Sequence, residues 1–278
     1  MRLSRSINHH AVDLLGIRVA ALTMDDVLRI CQEHIAAKSS LLLSVVNVAK
    51  LVNSRKDGEL RKSVVEADIV LADGLPIVWL SRLIGDPLPE RLAGIDIMYG
   101  LLERASQNNY GVYFLGAQKP IVQKVVQIVE RLYPGLRVAG YRDGYFPDSE
   151  SKEVAEKVRN SSADILLVAI SSPKKENFLR DWRKFMNVPV CHGVGGSFDI
   201  LAGATKRAPF WVQRYGLEWL YRLVQEPRRM WKRYLVTNTI FVKLSLQAIL
   251  RSRLRPFHAT ADTTVCNCKD TNHPKPSE

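Results

Sequence analysis

The sequence contains no apolar stretch long enough to cross a membrane, because no run of about 18 residues is free of charged side chains. Residues 234–250 come nearest, but they include Lys243 and several polar side chains. The first 15 residues carry basic side chains without the apolar centre of a signal peptide, so we expect no secretory signal.

Two sequence fingerprints are also absent. No G-x-G-x-x-G occurs, which disfavours a nicotinamide-dependent oxidoreductase. No D-x-D occurs either, so a sugar-nucleotide enzyme built on this chain would lack the usual metal-binding pair of carboxylates.

Cysteine is scarce and scattered. Cys31 and Cys191 lie in apolar surroundings and are expected to be buried free thiols, which fits a reducing cytoplasm. Cys266 and Cys268, with His273 nearby, are an incomplete set of zinc ligands and only hint at metal binding.

Acidic residues are few towards the C-terminus. The formal net charge is +12, and residues 203–255 contain twelve basic and two acidic residues, a local excess of ten positive charges. Tryptophan and tyrosine alternate with these basic residues, which suits a membrane interface, stacking on nucleic acid, or an ordinary helix with aromatic residues in its core. We therefore expect an anionic partner: membrane phosphate, a nucleotide diphosphate or nucleic acid.

Short apolar runs alternate with helix-like spacing through the first 202 residues. This alternation predicts an α/β fold with a mainly parallel sheet and helices on both faces. We divide the chain into an α/β core (1–202), a basic helical appendage (203–255) and a disordered tail (256–278).

Asp73 is the candidate chemical centre. Residues 69–72 predict a buried strand, followed by a turn at Asp73 and Gly74 and a helix over residues 75–83. A carboxylate at the carboxyl end of a parallel strand lies in the crevice where such sheets bind ligands. The alternative is a turn residue or helix N-cap. Asn47, which follows the strand predicted at residues 41–46, has the same two interpretations.

Two glycine-containing turns follow other predicted strands. Gly116 precedes a helix whose first N–H groups could meet a phosphate. Gly195 and Gly196 follow the last predicted strand, where glycine allows a ligand to approach the backbone or simply forms a tight turn.

Five blocks between residues 14 and 243 resemble, in this order, the WecG/TagA/CpsF family of bacterial glycosyltransferases: ADGLPIVW, PLPERLAGID, SSPKKENF, GVGGSFDILAGATKRAP and GLEWLYRLVQEPRR. The resemblance implies that the core (1–202) is a Rossmann-like catalytic domain and that the appendage (203–255) associates with the membrane and completes the active site. It also implies inverting transfer of a sugar from a UDP-sugar to a sugar on undecaprenyl diphosphate. No metal or other cofactor is implied, and the protein is expected at the cytoplasmic face of the bacterial inner membrane.

The resemblance also implies roles for individual residues. Asp73 is expected to be the general base. Basic residues of the appendage are expected to offset the negative charge of the departing diphosphate. These are Arg222, Arg229 and Lys232, with Arg228 and Arg233 as neighbours that could substitute. The predicted substrate-binding residues, including the glycines identified above, are Asn47, Arg91, Lys175, Gly116, Gly195 and Gly196.

Two positions depart from the family pattern. Lys175 stands where the family has Gln, and Val45 stands where Thr is frequent. We therefore favour a β-1,4-glucosyl transferase of exopolysaccharide synthesis, to which ADGLPIVW is more similar. The alternatives are transfer of N-acetylmannosamine or its uronic acid and, from a different class, a nucleic-acid-binding protein with a basic arm. A homo-oligomer is compatible with the enzyme interpretation.

Overall fold

The computed structural model describes residues 9–254, except for the side chains of residues 229, 230, 233 and 253. The tail predicted to be disordered (256–278), with Cys266, Cys268 and His273, lies outside the described residues.

The described strands are β1 (Ala11–Leu14), β2 (Ile17–Ala20), β3 (Leu41–Val46), β4 (Ile69–Ala72), β5 (Gly111–Gly116), β6 (Arg137–Arg142), β7 (Ile165–Ala169) and β8 (Val190–Gly193). The described α-helices are α1 (Met24–Ala36), α2 (Val48–Asn53), α3 (Gly58–Val65), α4 (Leu75–Leu83), α5 (Gly94–Asn108), α6 (Lys119–Leu132), α7 (Ser151–Asn160), α8 (Lys174–Met186), α9 (Ser197–Leu201), α10 (Phe210–Arg214), α11 (Glu218–Gln225) and α12 (Pro227–Leu254).

Strands β3 to β8 form a six-stranded sheet in the order β4-β3-β8-β7-β5-β6, in which every pair is parallel. The predicted parallel α/β fold is therefore confirmed. The pair β1 and β2 is an antiparallel hairpin outside this sheet. The alternation pattern did not predict this hairpin.

Helices cover both faces of the sheet because successive strand residues point to opposite sides. In β3, Leu41, Leu43 and Val45 pack with residues of α1, α5, α6 and α9. Leu42, between them, packs with residues of α7 and α8 on the other face. The helix that follows β3 therefore lies on one face and the helix that follows β8 on the other, which opens a crevice at the carboxyl ends of these adjacent strands.

The C-terminal helix α12 is attached to this core. Phe241 is buried in a cluster formed with α2, α3, α4 and the hairpin, and Ile240 and Ile249 pack against the same cluster. No helix among residues 9–254 is both long and apolar enough to cross a membrane.

Cys31 and Cys191 are buried free thiols, as predicted. Burial raises the pKa of each to about 12, so neither is a reactive thiolate at neutral pH.

Candidate active site

The two polar residues predicted at strand ends lie at neighbouring positions. Val46 pairs with Ala72 in the parallel register of β3 and β4, and the next residues are Asn47 and Asp73. The Asp73 N–H donates to the Val46 carbonyl at 2.7 Å. The Leu92 N–H donates to the Ala72 carbonyl at 2.8 Å, which brings the loop before α5 to the same edge.

Asp73 is half-buried at this edge. It does not cap α4, whose N-cap is Gly74 without a side-chain hydrogen bond. Burial raises the pKa of the Asp73 carboxyl, and the negative charge of Glu218 adds to the effect. Arg91, Arg222 and Lys50 oppose the rise in pKa without cancelling it. A carboxyl group with a raised pKa is a stronger base than an ordinary aspartate once it is ionised.

A set of ion pairs, the Arg91 network, joins the loop before α5 to the chain after residue 203. Arg91 donates to Glu218 Oε2 at 2.5 Å and lies 3.4 Å from Asp96 Oδ2. Arg207 donates to the two carboxylate oxygens of Asp96 at 2.6 and 2.8 Å. Opposite charges on the two segments therefore hold the start of the C-terminal region against the candidate site.

A second charged group is the buried Lys–Glu–Lys cluster of Lys50, Glu176 and Lys175. The two ammonium groups lie 2.9 Å and 3.4 Å from Glu176 Oε1. Burial alone would raise the pKa of Glu176, but the charges of Lys175 and Lys50 outweigh it and hold the pKa below its usual value. Burial lowers the pKa of Lys175, and the charge of Lys50 adds to the effect. A cavity of about 20 Å³, with room for about one water, adjoins all three side chains.

The glycine turn after β8 makes room for Lys175. A Cβ on Gly193 would lie 2.8 Å from Lys175 Cδ, and a Cβ on Gly195 would lie 4.0 Å from Lys175 Nζ. Gly195 also has a φ of +55°. The close approach to Lys175 therefore requires glycine at 193, the last residue of β8, whereas the distance at Gly195 is an ordinary contact. Contacts of Lys175, Gly195 or Gly196 with a substrate stay predictions.

Gly116 and Asn47 both have structural roles. Gly116 has a φ of +130°, and a Cβ there would lie 2.4 Å from the Ala169 carbonyl, so the approach of β5 to β7 requires glycine. Asn47 is the N-cap of α2, and its Oδ1 accepts from the Lys50 N–H at 3.0 Å. Neither role excludes a substrate contact, which stays a prediction for both residues.

The basic residues predicted to meet the diphosphate are placed unequally. Arg222 on α11 is exposed, and its positive charge acts to lower the pKa of Asp73. Lys232 and Arg228 are exposed on α12. The side chains of Arg229 and Arg233 lie outside the described residues.

Comparison with known proteins decides the family. The model of the glycosyl transferase WecG/TagA/CpsF family matches residues 12–255. The chain belongs to the WecG/TagA/CpsF family. The resemblance seen in the five sequence blocks is therefore confirmed.

Two relatives carry the name N-acetylglucosaminyldiphosphoundecaprenol N-acetyl-β-D-mannosaminyltransferase. The protein of Bacillus spizizenii (strain W23) is 43% identical over 169 residues, which are 61% of this chain and 65% of the relative. The protein of Bacillus subtilis (strain 168) is 35% identical over 204 residues, which are 73% of this chain and 78% of the relative. The match to the first relative thus spans just under two thirds of its length.

These names do not support the glucosyl specificity or the exopolysaccharide pathway expected from the sequence, and they favour the N-acetylmannosaminyl alternative. The expectation rested on ADGLPIVW and on two departures from the family pattern, Lys175 and Val45. Lys175 is only 8% exposed within the Lys–Glu–Lys cluster, so a change at this position alters internal charge pairing and is a poor guide to the sugar.

Sequence reasoning missed three charged residues of this candidate site: Lys50, Glu176 and Glu218. One signal was available, because Glu218 is one of only two acidic residues in the basic stretch 203–255. Lys50 and Glu176 gave no such signal, since isolated lysines and glutamates near helix N-termini are usually solvated.

Proposed function

We propose that this chain transfers N-acetylmannosamine from a UDP-sugar to N-acetylglucosamine on undecaprenyl diphosphate, with inversion to a β-linkage. The names of the two relatives support the choice of sugar and acceptor. The main support for the proposed chemistry is the Asp73 carboxyl, which is half-buried at the carboxyl edge of a parallel sheet. Its pKa is raised, and burial is the largest cause. We extend the relatives' activity to this chain because the family match spans residues 12–255.

In this reaction Asp73 is the general base. Its carboxylate accepts the proton of the acceptor hydroxyl while that oxygen forms a bond to the anomeric carbon of the donor sugar. The bond from the same carbon to the UDP oxygen breaks on the opposite face, and UDP leaves with the electron pair. Attack opposite to the leaving group converts an α-linked donor into a β-linked product.

The departing diphosphate gains negative charge, which cations must offset when no metal takes part. Arg222 is our first candidate, because it is exposed on α11 and its charge reaches Asp73. Arg229 and Lys232 follow on α12 and are proposed to act with it. Metal independence belongs to the proposal and is tested by adding a chelator.

We also propose that residues 203–255 bind the membrane surface on which the lipid-linked acceptor lies. Large apolar side chains are exposed here beside the basic residues, including Phe210 at 79%, Trp211 at 62% and Tyr215 at 64%. Aromatic side chains at headgroup level and basic side chains at lipid phosphate suit a protein that lies on a bilayer.

The test is a UDP-release assay with undecaprenyl diphosphate N-acetylglucosamine as acceptor, with and without a chelator. UDP-N-acetylmannosamine, its uronic acid and UDP-glucose are compared as donors. We expect N-acetylmannosamine to be transferred fastest, and a preference for either other donor would overturn the proposed specificity.

The role of Asp73 is tested by Asp73→Asn. We expect kcat to fall by about 10²–10⁴-fold while UDP binding stays unchanged and the free energy of unfolding does not fall. Asp86→Asn is the matched control, since Asp86 is a partly exposed acid that pairs with His10 at the surface. An Asp73→Asn enzyme with near-normal turnover would remove Asp73 from the role of base.

A further inference from the structure

Glu218 reaches from the C-terminal region into the candidate site. It begins α11, and its carboxylate accepts from Arg91 at 2.5 Å across 127 residues of chain. The side chain of Arg91 is only 13% exposed and that of Glu218 is 30% exposed, so water screens this ion pair incompletely. Arg91 also lies 3.4 Å from Asp96, so carboxylates hold its guanidinium on two sides.

Among the side chains that the structure describes, none forms an ion pair with the Asp73 carboxylate. Arg91 is nevertheless near enough to lower the pKa of Asp73. The Arg91 guanidinium therefore lies near both Glu218 and the proposed base Asp73, and its ion pair is with Glu218.

We propose that Glu218 is a positioning residue of the site, which holds the Arg91 guanidinium away from Asp73 and so preserves Asp73 as a base. This inference rests on the proposed function, in which Asp73 takes the proton of the acceptor hydroxyl.

The physical reason is competition between carboxylates for one cation. An aspartate in direct contact with an arginine has its pKa lowered by about 1–3 units, and a carboxylate so stabilised is a weak base. Glu218 prevents this contact because it occupies the guanidinium donors. Its negative charge also acts directly on Asp73 and raises the pKa of that carboxyl.

The other charged groups that face Asp73 come from several elements: Lys50 from α2, Lys175 from α8, Arg91 from the loop before α5, and Arg222 from α11. All of these groups are cationic when protonated and favour the ionised form of Asp73. The negative charge of Glu218 opposes them, so removal of that charge should lower the pKa of Asp73.

The experiment is the pH dependence of kcat/KM for the full chain, in the wild type and in Glu218→Gln. Glutamine keeps the shape and hydrogen-bonding capacity of the side chain while it removes the charge. We expect the midpoint of the acidic limb, which reports the ionisation of Asp73, to move down by about one unit. The plateau at neutral pH should also fall, because the base is weaker. Glu218→Asp keeps the charge and should restore most of the midpoint.

Arg207→Gln is the matched control. It breaks another ion pair of the Arg91 network, with Asp96, and leaves the pair of Arg91 with Glu218 in place. If Glu218 only fastened the C-terminal region to the core, both variants would lose activity without a shift of the limb. We expect Arg207→Gln to keep the wild-type midpoint.

Two outcomes overturn the inference: an unchanged midpoint in Glu218→Gln, or an equal shift in Arg207→Gln. A direct titration of the wild-type Asp73 carboxyl by carbon NMR does not depend on any variant. A value at or below the ordinary aspartate pKa of about 3.9 would also overturn the inference. Failure of the proposed function looks different, because the acidic limb would then persist in Asp73→Asn.

Discussion

The buried side chain of His192 predicts how the free energy of unfolding changes with pH. Its side chain is fully buried on β8, and its Nε2–H donates to the Gly94 carbonyl at 3.0 Å, at the start of α5. Burial lowers the pKa of His192 to about 4, and the ammonium groups of Lys175 and Lys50 act in the same direction. The imidazole is therefore neutral in the folded protein at any pH well above 4.

The magnitude follows from the difference between the folded and unfolded states. The unfolded chain takes up a proton at a histidine pKa of about 6.5, whereas the folded chain takes it up only near 4. The contribution of His192 to the free energy of unfolding is thus complete above pH 6.5 and falls as the pH drops towards 4. At about 1.36 kcal/mol per unit, the full loss is about 3 kcal/mol, of which about 2 kcal/mol is lost by pH 5.

The assay is urea unfolding from pH 7.5 to pH 4.5, for the wild type and for His192→Gln. Glutamine can still donate to the Gly94 carbonyl but does not titrate. Other groups titrate equally in both proteins, so we expect the variant to lose about 2 kcal/mol less than the wild type between pH 7 and pH 5. Equal losses in the wild type and His192→Gln would refute the reasoning.

Two further predictions concern the charge cluster and the sheet. Glu176→Gln leaves two buried ammonium groups without their carboxylate and should lower the free energy of unfolding by about 3–5 kcal/mol, whereas Lys175→Gln keeps one ion pair and should cost less than about 1 kcal/mol. Urea unfolding at pH 7 measures both, and similar losses would contradict the pairing. Gly116→Ala should cost about 2–5 kcal/mol, because its φ is +130° and the new Cβ would strike the Ala169 carbonyl. Gly203→Ala, with a φ of +73° and no atom within 4 Å of its Cβ, should cost about 1 kcal/mol, and a similar loss at both glycines would exclude the clash.

The order of elements along the chain was predictable because it depends on local patterns. The continuous apolar run at residues 41–46 became β3, buried on both faces, and residues 69–72 became β4. Strands of this kind end at polar residues, so Asn47 and Asp73 were recognisable at strand ends before any contact was known. The hairpin of β1 and β2 was missed, because two four-residue strands leave too short a pattern.

The surroundings of Asp73 were not predictable in the same way. The sheet order β4-β3-β8 brings helices from distant parts of the chain to one edge. Lys50 meets Glu176, and Arg91 meets Glu218, only because of this order. The hydrophobic periodicity of the sequence does not predict such pairs, because a charged residue fits the same local pattern whether it faces water or an opposite charge.

Local chemistry in the chain was thus sufficient for the strands of the parallel sheet, most of the helices, the buried thiols and the strand end that carries Asp73, because burial imposes periodic apolar patterns on neighbouring residues. The pairing of Arg91 with Glu218, the burial of Lys175 with Glu176 and the raised pKa of Asp73 arise only when the sheet is assembled. Electrostatic effects depend on distances through space and on exclusion of water, and those distances are set by strand order and not by position in the chain.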